Sequence, residues 1–477
     1  MKRYLGLVLV GVTIAFGTGC GDGTGGTGGT GGSGGTGGTD FSCGSGVSTN
    51  PCQDAGGSGT VEINAPGRCV EITEDTLLEA ACTYVLTKET YVVGARLEIE
   101  AGTTIQGDSG SALVVTTTGS INAVGTETAP IVFTSSNPPG EAAPGDWGGV
   151  VLLGLGRLSW GDTPCNGEAG ECVGSIEGIA PEDPKGAFGG NDDTHDCGTL
   201  NYVRIEYAGF QFGADNELNG LTVGGCGDRT DLSYVQIHRG LDDGVEFFGG
   251  TAPIDHLIVT GPGDDGLDWD QGWRGSADNV IVHHFSSTTS SPNGIEADNY
   301  GSGDNNVEPR SAPQITNATI IGDGRPEGSG VVTRVGTWGI LDGLVVVGFG
   351  GAGYDMRNGA WSVAGGWPDG IVVDNSCFFD NGENYPVDDN DPKDPSAATS
   401  TADFFDEPTL LADAARNNTE GDPGIGDASG ACTGTSSPDY SLTNAACLGA
   451  FGGPGGTDWT DGWTAFPAGA FNTANCP

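Results

Sequence analysis

The chain has 477 residues, of which 64 are Asp or Glu and only 17 are Lys or Arg, for a formal charge of −47. A chain this acidic has no basic face with which to grip nucleic-acid phosphates or an anionic membrane surface, so it favours cations as partners. Glycine reaches 89 residues, about 19% against a usual ~7%, and no apolar run approaches the ~20 residues that would span a membrane.

At the N-terminus, Lys2 and Arg3 precede an apolar stretch from Tyr4 to Phe16, then Gly17-Thr18-Gly19-Cys20. This reads as a secretory signal over residues 1–19. The cysteine resembles a bacterial lipoprotein lipidation site, which implies a lipid anchor at Cys20. Residues 20–40 then form a Gly/Thr-rich tether with a root-mean-square span of roughly 25 Å. The cysteines agree with export. Of 13 in all, setting Cys20 aside leaves an even number, and no C-x-x-C pair occurs. Expected local pairs are Cys43–Cys52, Cys69–Cys82, Cys165–Cys172 and Cys197–Cys226. Cys377, Cys432, Cys447 and Cys476 remain to fasten the tail. Residues 41–89 are read as a disulfide-containing N-terminal cap.

From about residue 90 to 380, short apolar stretches alternate with Gly, Asn and Asp, and helical periodicity is nearly absent. Two strand types recur. The first includes Tyr202-Val203-Arg204-Ile205, Tyr234-Val235-Gln236-Ile237, His256-Leu257-Ile258-Val259 and Asn279-Val280-Ile281-Val282. The second includes Asn219-Gly220-Leu221-Thr222-Val223, Asp243-Gly244-Val245-Glu246-Phe247, Asp265-Gly266-Leu267-Asp268-Trp269 and Asn293-Gly294-Ile295-Glu296-Ala297. Val235 to Leu257 is 22 residues and Leu257 to Val280 is 23. Such a period, with two or three short strands per unit, signals a solenoid. The Leu and Asn consensus of leucine-rich repeats is missing. The expected fold is all-β: a right-handed parallel β-helix with loop insertions, in which each coil buries its inner face by stacking on its neighbours. Residues 381–477 form an irregular C-terminal cap region lying on the last coils.

Several segments carry a family likeness: Gly145-Asp146-Trp147-Gly148-Gly149-Val150-Val151-Leu152-Leu153-Gly154, Tyr202–Gly209, Glu246-Phe247-Phe248-Gly249-Gly250-Thr251, Gly449-Ala450-Phe451-Gly452 and Asp458-Trp459-Thr460-Asp461-Gly462-Trp463. Over roughly residues 90–470 the chain resembles bacterial surface lipoproteins with a right-handed parallel β-helix, a family without a settled activity. The resemblance implies fold and an outer-membrane, surface-exposed location. It implies little chemistry.

The second strand type carries the chemistry. Its Val, Leu, Ile and aromatic residues point inward, so the residues between them point outward. In register, one outward column reads Thr222, Glu246, Asp268, Glu296 and the next reads Gly224, Phe248, Asp270, Asp298. Coils sit ~4.8 Å apart, where like charges repel by roughly 1 kcal/mol in water and more in a shielded groove. Protons, solvent or a cation can relieve this. Calcium, with six to eight oxygen ligands at ~2.3–2.6 Å, suits such a patch, and Asp242, Asp243, Asp264 and Asp265 at the preceding turns add oxygens. The same Asp and Asn turn residues also suit a structural stack of side chains bonded to backbone.

Three function classes fit. The first is an exported, membrane-tethered, monomeric protein that binds calcium and a glycan or other cell-surface ligand, with Trp273 in a loop as the stacking residue; Trp269 is expected in the core. The second is an enzyme. A glycoside hydrolase needs carboxyls ~5 Å or ~6.5–9.5 Å apart, for which Glu246 with Asp268 or Glu296 qualify. A polysaccharide lyase needs calcium and a base, for which Arg239 and Arg274 are candidates. The third is a ligand-free surface spacer. The histidines show no zinc spacing, and His283 and His284, being adjacent, face opposite sides of a strand.

Overall fold

The computed structural model describes residues 43–464 apart from 139, 160–171, 214–215, 286–291, 300–306, 358–369, 387–406 and 434–436. The signal, Cys20 and the tether therefore lie outside the described residues. Two parallel sheets dominate, one of 11 strands and one of 16. Each is built by pairing a strand with its counterpart one coil later, which is the topology of a parallel β-helix. Within a coil, a short strand such as Leu267–Asp270 enters the first sheet, and a longer one such as Ser276–His283 enters the second.

The longer strands bend, and so supply two faces. At the bend a residue takes a left-handed backbone: Tyr202, Tyr234, His256, Asn279 and Asn317 all have φ between 50° and 56°. Such residues cost little only as Asn or Gly, so stacking must hold the others. Tyr202 stacks on Tyr234 at 4.4 Å and Tyr234 on His256 at 4.3 Å. Further along, Asn279 Nδ2 donates to Asp255 Oδ1 and Asn317 Nδ2 to Asp278 Oδ1, each at 3.0 Å.

Inward side chains form continuous columns. Leu221, Val245, Leu267, Ile295 and Val331 are in register and fully buried. Phe247 and Trp269 occupy the adjacent column. Glycines at the turns before the first sheet allow the coils to close. A Cβ on Gly266 would lie 2.3 Å from Val282 Cγ1 and 2.7 Å from the Gly294 oxygen, with Gly220, Gly244, Gly294 and Gly330 similarly crowded.

Several boundaries and pairings differ from expectation. The coils begin well before residue 90: Gly44–Ser45 pairs with Val70–Ile72, and Gly59–Ile63 with Cys82–Leu86, all parallel. From Cys43 to residue 89 the described chain thus forms the first coils and not a separate cap. This register overturns two expected disulfides. Cys43 bonds Cys69 and Cys52 bonds Cys82, because stacking places a residue opposite its equivalent one coil on. Cys197–Cys226 forms as expected, and Cys377 pairs with Cys447. Cys172 and Cys432 are also disulfide-bonded; Cys165, the partner expected for Cys172, and Cys476 lie outside the described residues. The C-terminal segment does more than cover the last coils. Ala431, Cys432, Tyr440, Ala450 and Trp463 pack along one side against Ile258, Ile281 and Phe285, and Trp463 meets Tyr202 and Tyr234 edge-on. Leu411 joins the main core, and the Glu407 carboxyl accepts from Met356 N at 2.7 Å.

If the turn glycines serve close approach, Gly266→Ala will lower the unfolding free energy by about 1–3 kcal/mol, the usual cost of overpacking. Urea denaturation measures it, and a loss below about 0.5 kcal/mol, as for an ordinary surface change, would contradict the packing account.

Candidate functional site

The outward columns of the first sheet change character along the helix. Early coils present Tyr91, Val114, Val151 and Leu153, which are buried under Leu158, Cys172, Ile176, Ile179 and Phe188. Where that cover ends, the expected acidic column begins. Thr222, Glu246, Asp268 and Glu296 stand in register on successive coils. Gly224, Phe248 and Asp270 form the next column. Asp298 continues it, its N–H bonding Trp269 O at 2.8 Å. The register argument from sequence therefore places these carboxyls correctly.

Extending the same columns two coils further reaches residues that sequence reasoning missed. Arg334 follows Val331–Thr333 and Arg357 follows Tyr354–Met356, at the register position of Asp298. Arg334 bridges Glu296 and Asp298, with Nε to Asp298 Oδ1 at 2.8 Å, and Arg357 pairs with Asp355. The two arginines thus close one end of the acidic patch. The arginines named from sequence lie elsewhere. Arg239 packs on Phe285 and donates to Cys432 O, while Arg274 is held by Asp193. Neither is placed to act as a base on the acidic column.

The turn acids divide between two roles. Asp243 Oδ1 accepts from Asp265 N at 2.8 Å, Asp265 Oδ1 from Asn293 N at 2.5 Å, and Asn293 Oδ1 from Ser329 N at 3.3 Å. This is the structural stack anticipated at the turns. It uses Oδ1 of each carboxyl, and the Asp265 carboxyl also hydrogen-bonds that of Glu296. Ligand oxygens lie within 4.8 Å of one another in three groups: Asp242 with Asp243 and Asp264; Asp243 with Glu246 and Asp268; Asp265 with Asp268 and Glu296. Asp268 belongs to two groups, and its Oδ1 is buried with no hydrogen-bond partner among the described residues.

Electrostatics follow from this crowding. Burial first, then neighbouring acids, pushes Asp243, Glu246, Asp265 and Asp268 well above the usual carboxylate range. Burial and the Asp298 charge raise Asp270 to about 7. Burial raises Glu296 to about 6, with Arg334 opposing and Asp298 adding to the shift. Protons or a cation must offset this charge.

One unforeseen acid, Glu177, comes from the insertion that covers the early coils. Its carboxyl hydrogen-bonds that of Glu246. Asn219, 1% exposed, donates to Glu246 Oε2 at 2.7 Å and to Glu177 Oε1 at 3.4 Å. A half-open cleft of about 350 Å³ lies here, lined by residues that include Ile176, Glu177, Glu246, Phe248, Asp270 and Gln271. No signal in the sequence joins Glu177 to the column, since a long insertion separates them.

Trp273 is not a ligand-stacking residue. It is fully buried, stacks on Phe247 at 4.2 Å and donates Nε1 to Ala252 O at 3.0 Å. Gln271 and Gly272 take left-handed backbones, φ 54° and 86°, which interrupt the in–out alternation and turn the indole into the core. Trp269 is core, as expected. Of the carboxyls weighed for hydrolysis, Glu246 is engaged by Glu177 and Asn219 and Glu296 by Arg334, while Asp268 Oδ1 has no partner among the described residues.

The family model described as "Pectate-lyase like beta helix domain" matches residues 70–464. A search of curated proteins returns no match. Among solved structures, the crystal structure of the periplasmic alginate epimerase AlgG is similar over 67% of this chain and 74% of that one, at 11% identity and a TM-score of 0.23. No helix among the described residues is long and apolar enough to cross a membrane.

The shifted acids make stability depend on pH in a definite direction. Asp270 and Glu296 have folded values above their unfolded ones, so the stability they contribute is complete below the ordinary carboxylate range. It is lost as pH rises through about 6 and then about 7. Burial pushes His238, His283 and His284 down, so the stability they contribute is lost on acidification below the ordinary histidine range. Above that range the acids dominate, and metal-free protein should lose melting temperature between about pH 6.5 and pH 8, as calorimetry would show. A melting temperature that rises over that interval would refute this electrostatic account.

Proposed function

The chain belongs to the pectate-lyase-like β-helix family, and from that premise we propose that it is a calcium-binding, carbohydrate-binding protein of the cell envelope. Asp265, Asp268 and Glu296 hold the ion. The observation that carries this reading is Asp268 Oδ1, buried without a partner beside acids whose oxygens lie within 4.8 Å of one another. A hard divalent cation takes oxygen ligands of this kind and offsets the charge that Arg334 only partly neutralises. Asp243 and Glu246 flank the ion, while Asp242, Asp264, Asp270 and Asp298 supply the surrounding negative field. The glycan lies along the same face, in the cleft beside the column.

Export and anchoring complete the proposal. The disulfides suit an oxidising compartment. Cys20 provides the lipid, and the Gly/Thr-rich segment holds the β-helix away from the outer membrane as a monomer.

Thermal unfolding tests the ion. Calcium at about 100 times its Kd stabilises a folded protein by about 2.7 kcal/mol, which a melt at pH 7.5 with calcium or with a chelator would detect. Asp268→Asn should abolish that response. It should also raise the melting temperature of the metal-free protein, because it removes a buried like charge. An unaltered melt on adding calcium, or a full calcium response in Asp268→Asn, would overturn the assignment.

A further inference from the structure

We infer that the cleft beside the acidic column takes a sugar unit bearing a free amine, and not a uronate. The inference rests on the carbohydrate-binding reading above and names the class of carbohydrate.

The lining is one-sided in its chemistry. Glu177, Glu246 and Asp270 all reach the cleft, and no lysine or arginine is among the residues that form it. Ionised carboxylates only accept hydrogen bonds, and the Glu177 and Glu246 carboxyls lie within hydrogen-bonding distance of each other at the cleft wall. Gln271 supplies an independent observation. It is 7% exposed and lines the cleft, and its buried Oε1 has no hydrogen-bond partner among the described residues. A buried amide oxygen without a donor is costly, and it is held there by a backbone at φ 54° that glutamine rarely adopts. The cleft therefore offers acceptors and negative charge to whatever enters.

A uronate would bring another carboxylate among three carboxyl groups. An ammonium brings positive charge and three donors, and ring hydroxyls bring more. Ile176 and Phe248 give the apolar wall against which a sugar ring can lie. At about 350 Å³ the cleft falls within the range of small-ligand sites, about 300–1,000 Å³. Glycans with unacetylated hexosamine units meet all of these demands.

Titration calorimetry on the exported chain in calcium buffer tests this, with hexamers of glucosamine, N-acetylglucosamine and galacturonate as probes. The glucosamine hexamer should bind at least about tenfold more tightly than its acetylated form, the equivalent of about 1.4 kcal/mol, and the galacturonate hexamer should give no binding heat. Glu177→Gln should erase the preference for the amine. Gln271→Asn tolerates the left-handed backbone but withdraws the amide by one methylene, and it should lose about tenfold in affinity. Equal or tighter binding of galacturonate, or wild-type glucosamine binding by both variants, would overturn the inference. A calcium-dependent melt without glucosamine binding would overturn it while supporting the metal assignment. Glucosamine binding without a calcium effect on the melt would support it and overturn the metal.

Discussion

Every feature of this protein depends on the parallel hydrogen-bonded register between successive coils. A backbone pairing such as Val245–Phe248 with Leu267–Asp270 brings residues 22 apart in the chain side by side. Stacked strands lie ~4.8 Å apart, so a repeated residue type becomes a column. Aliphatic columns form the core, glycine columns let the turns close, and aromatic or asparagine columns hold bends that would otherwise be strained. Acid columns have no such internal compensation. Repetition stabilises apolar and amide side chains because each satisfies the next, whereas repeated carboxylates repel.

That contrast explains why chemistry collects on one face. On the early coils of the first sheet the outward residues are apolar and are covered by an inserted segment. On the third side the C-terminal segment covers Ile258 and Ile281. Beyond Thr222 the outward positions of the first sheet turn acidic at Glu246, Asp268, Asp270 and Glu296, with Phe248 and Val332 as apolar exceptions. Arg334 and Arg357 end the patch, and Glu177 borders it from the insertion. A confined strip of carboxyls, walled at both ends, is what remains. Its acids are partly buried, which makes protons and divalent cations compete for the same oxygens.

Two uses of aspartate coexist at the turns. One oxygen of Asp243 and of Asp265 receives a backbone N–H from the next coil. These bonds maintain register, so an ion held as proposed would take ligands whose spacing the coil stack sets. Binding of an ion there would be linked to folding, because its ligands are also the side chains that bond one coil to the next.

Periodicity alone determined a good deal. The spacing of the Asx-Gly turns and the alternation within each short strand place Val245, Leu267 and Ile295 inward and Glu246, Asp268 and Glu296 outward, because the two-residue strand period and the coil repeat are both local properties of the chain. The Cys43–Cys69 and Cys52–Cys82 bonds are not legible from spacing along the chain, since they join equivalent positions on successive coils and only the coil register brings those positions together. Trp273 turned inward because two left-handed residues broke the alternation, a backbone choice that residue type only weakly signals. Glu177 reached Glu246, and Trp463 reached Tyr202 and Tyr234, across insertions and long returns. Such contacts have no period. They arise when irregular segments find the one exposed apolar or polar surface that complements them, and only the folded chain decides where that is.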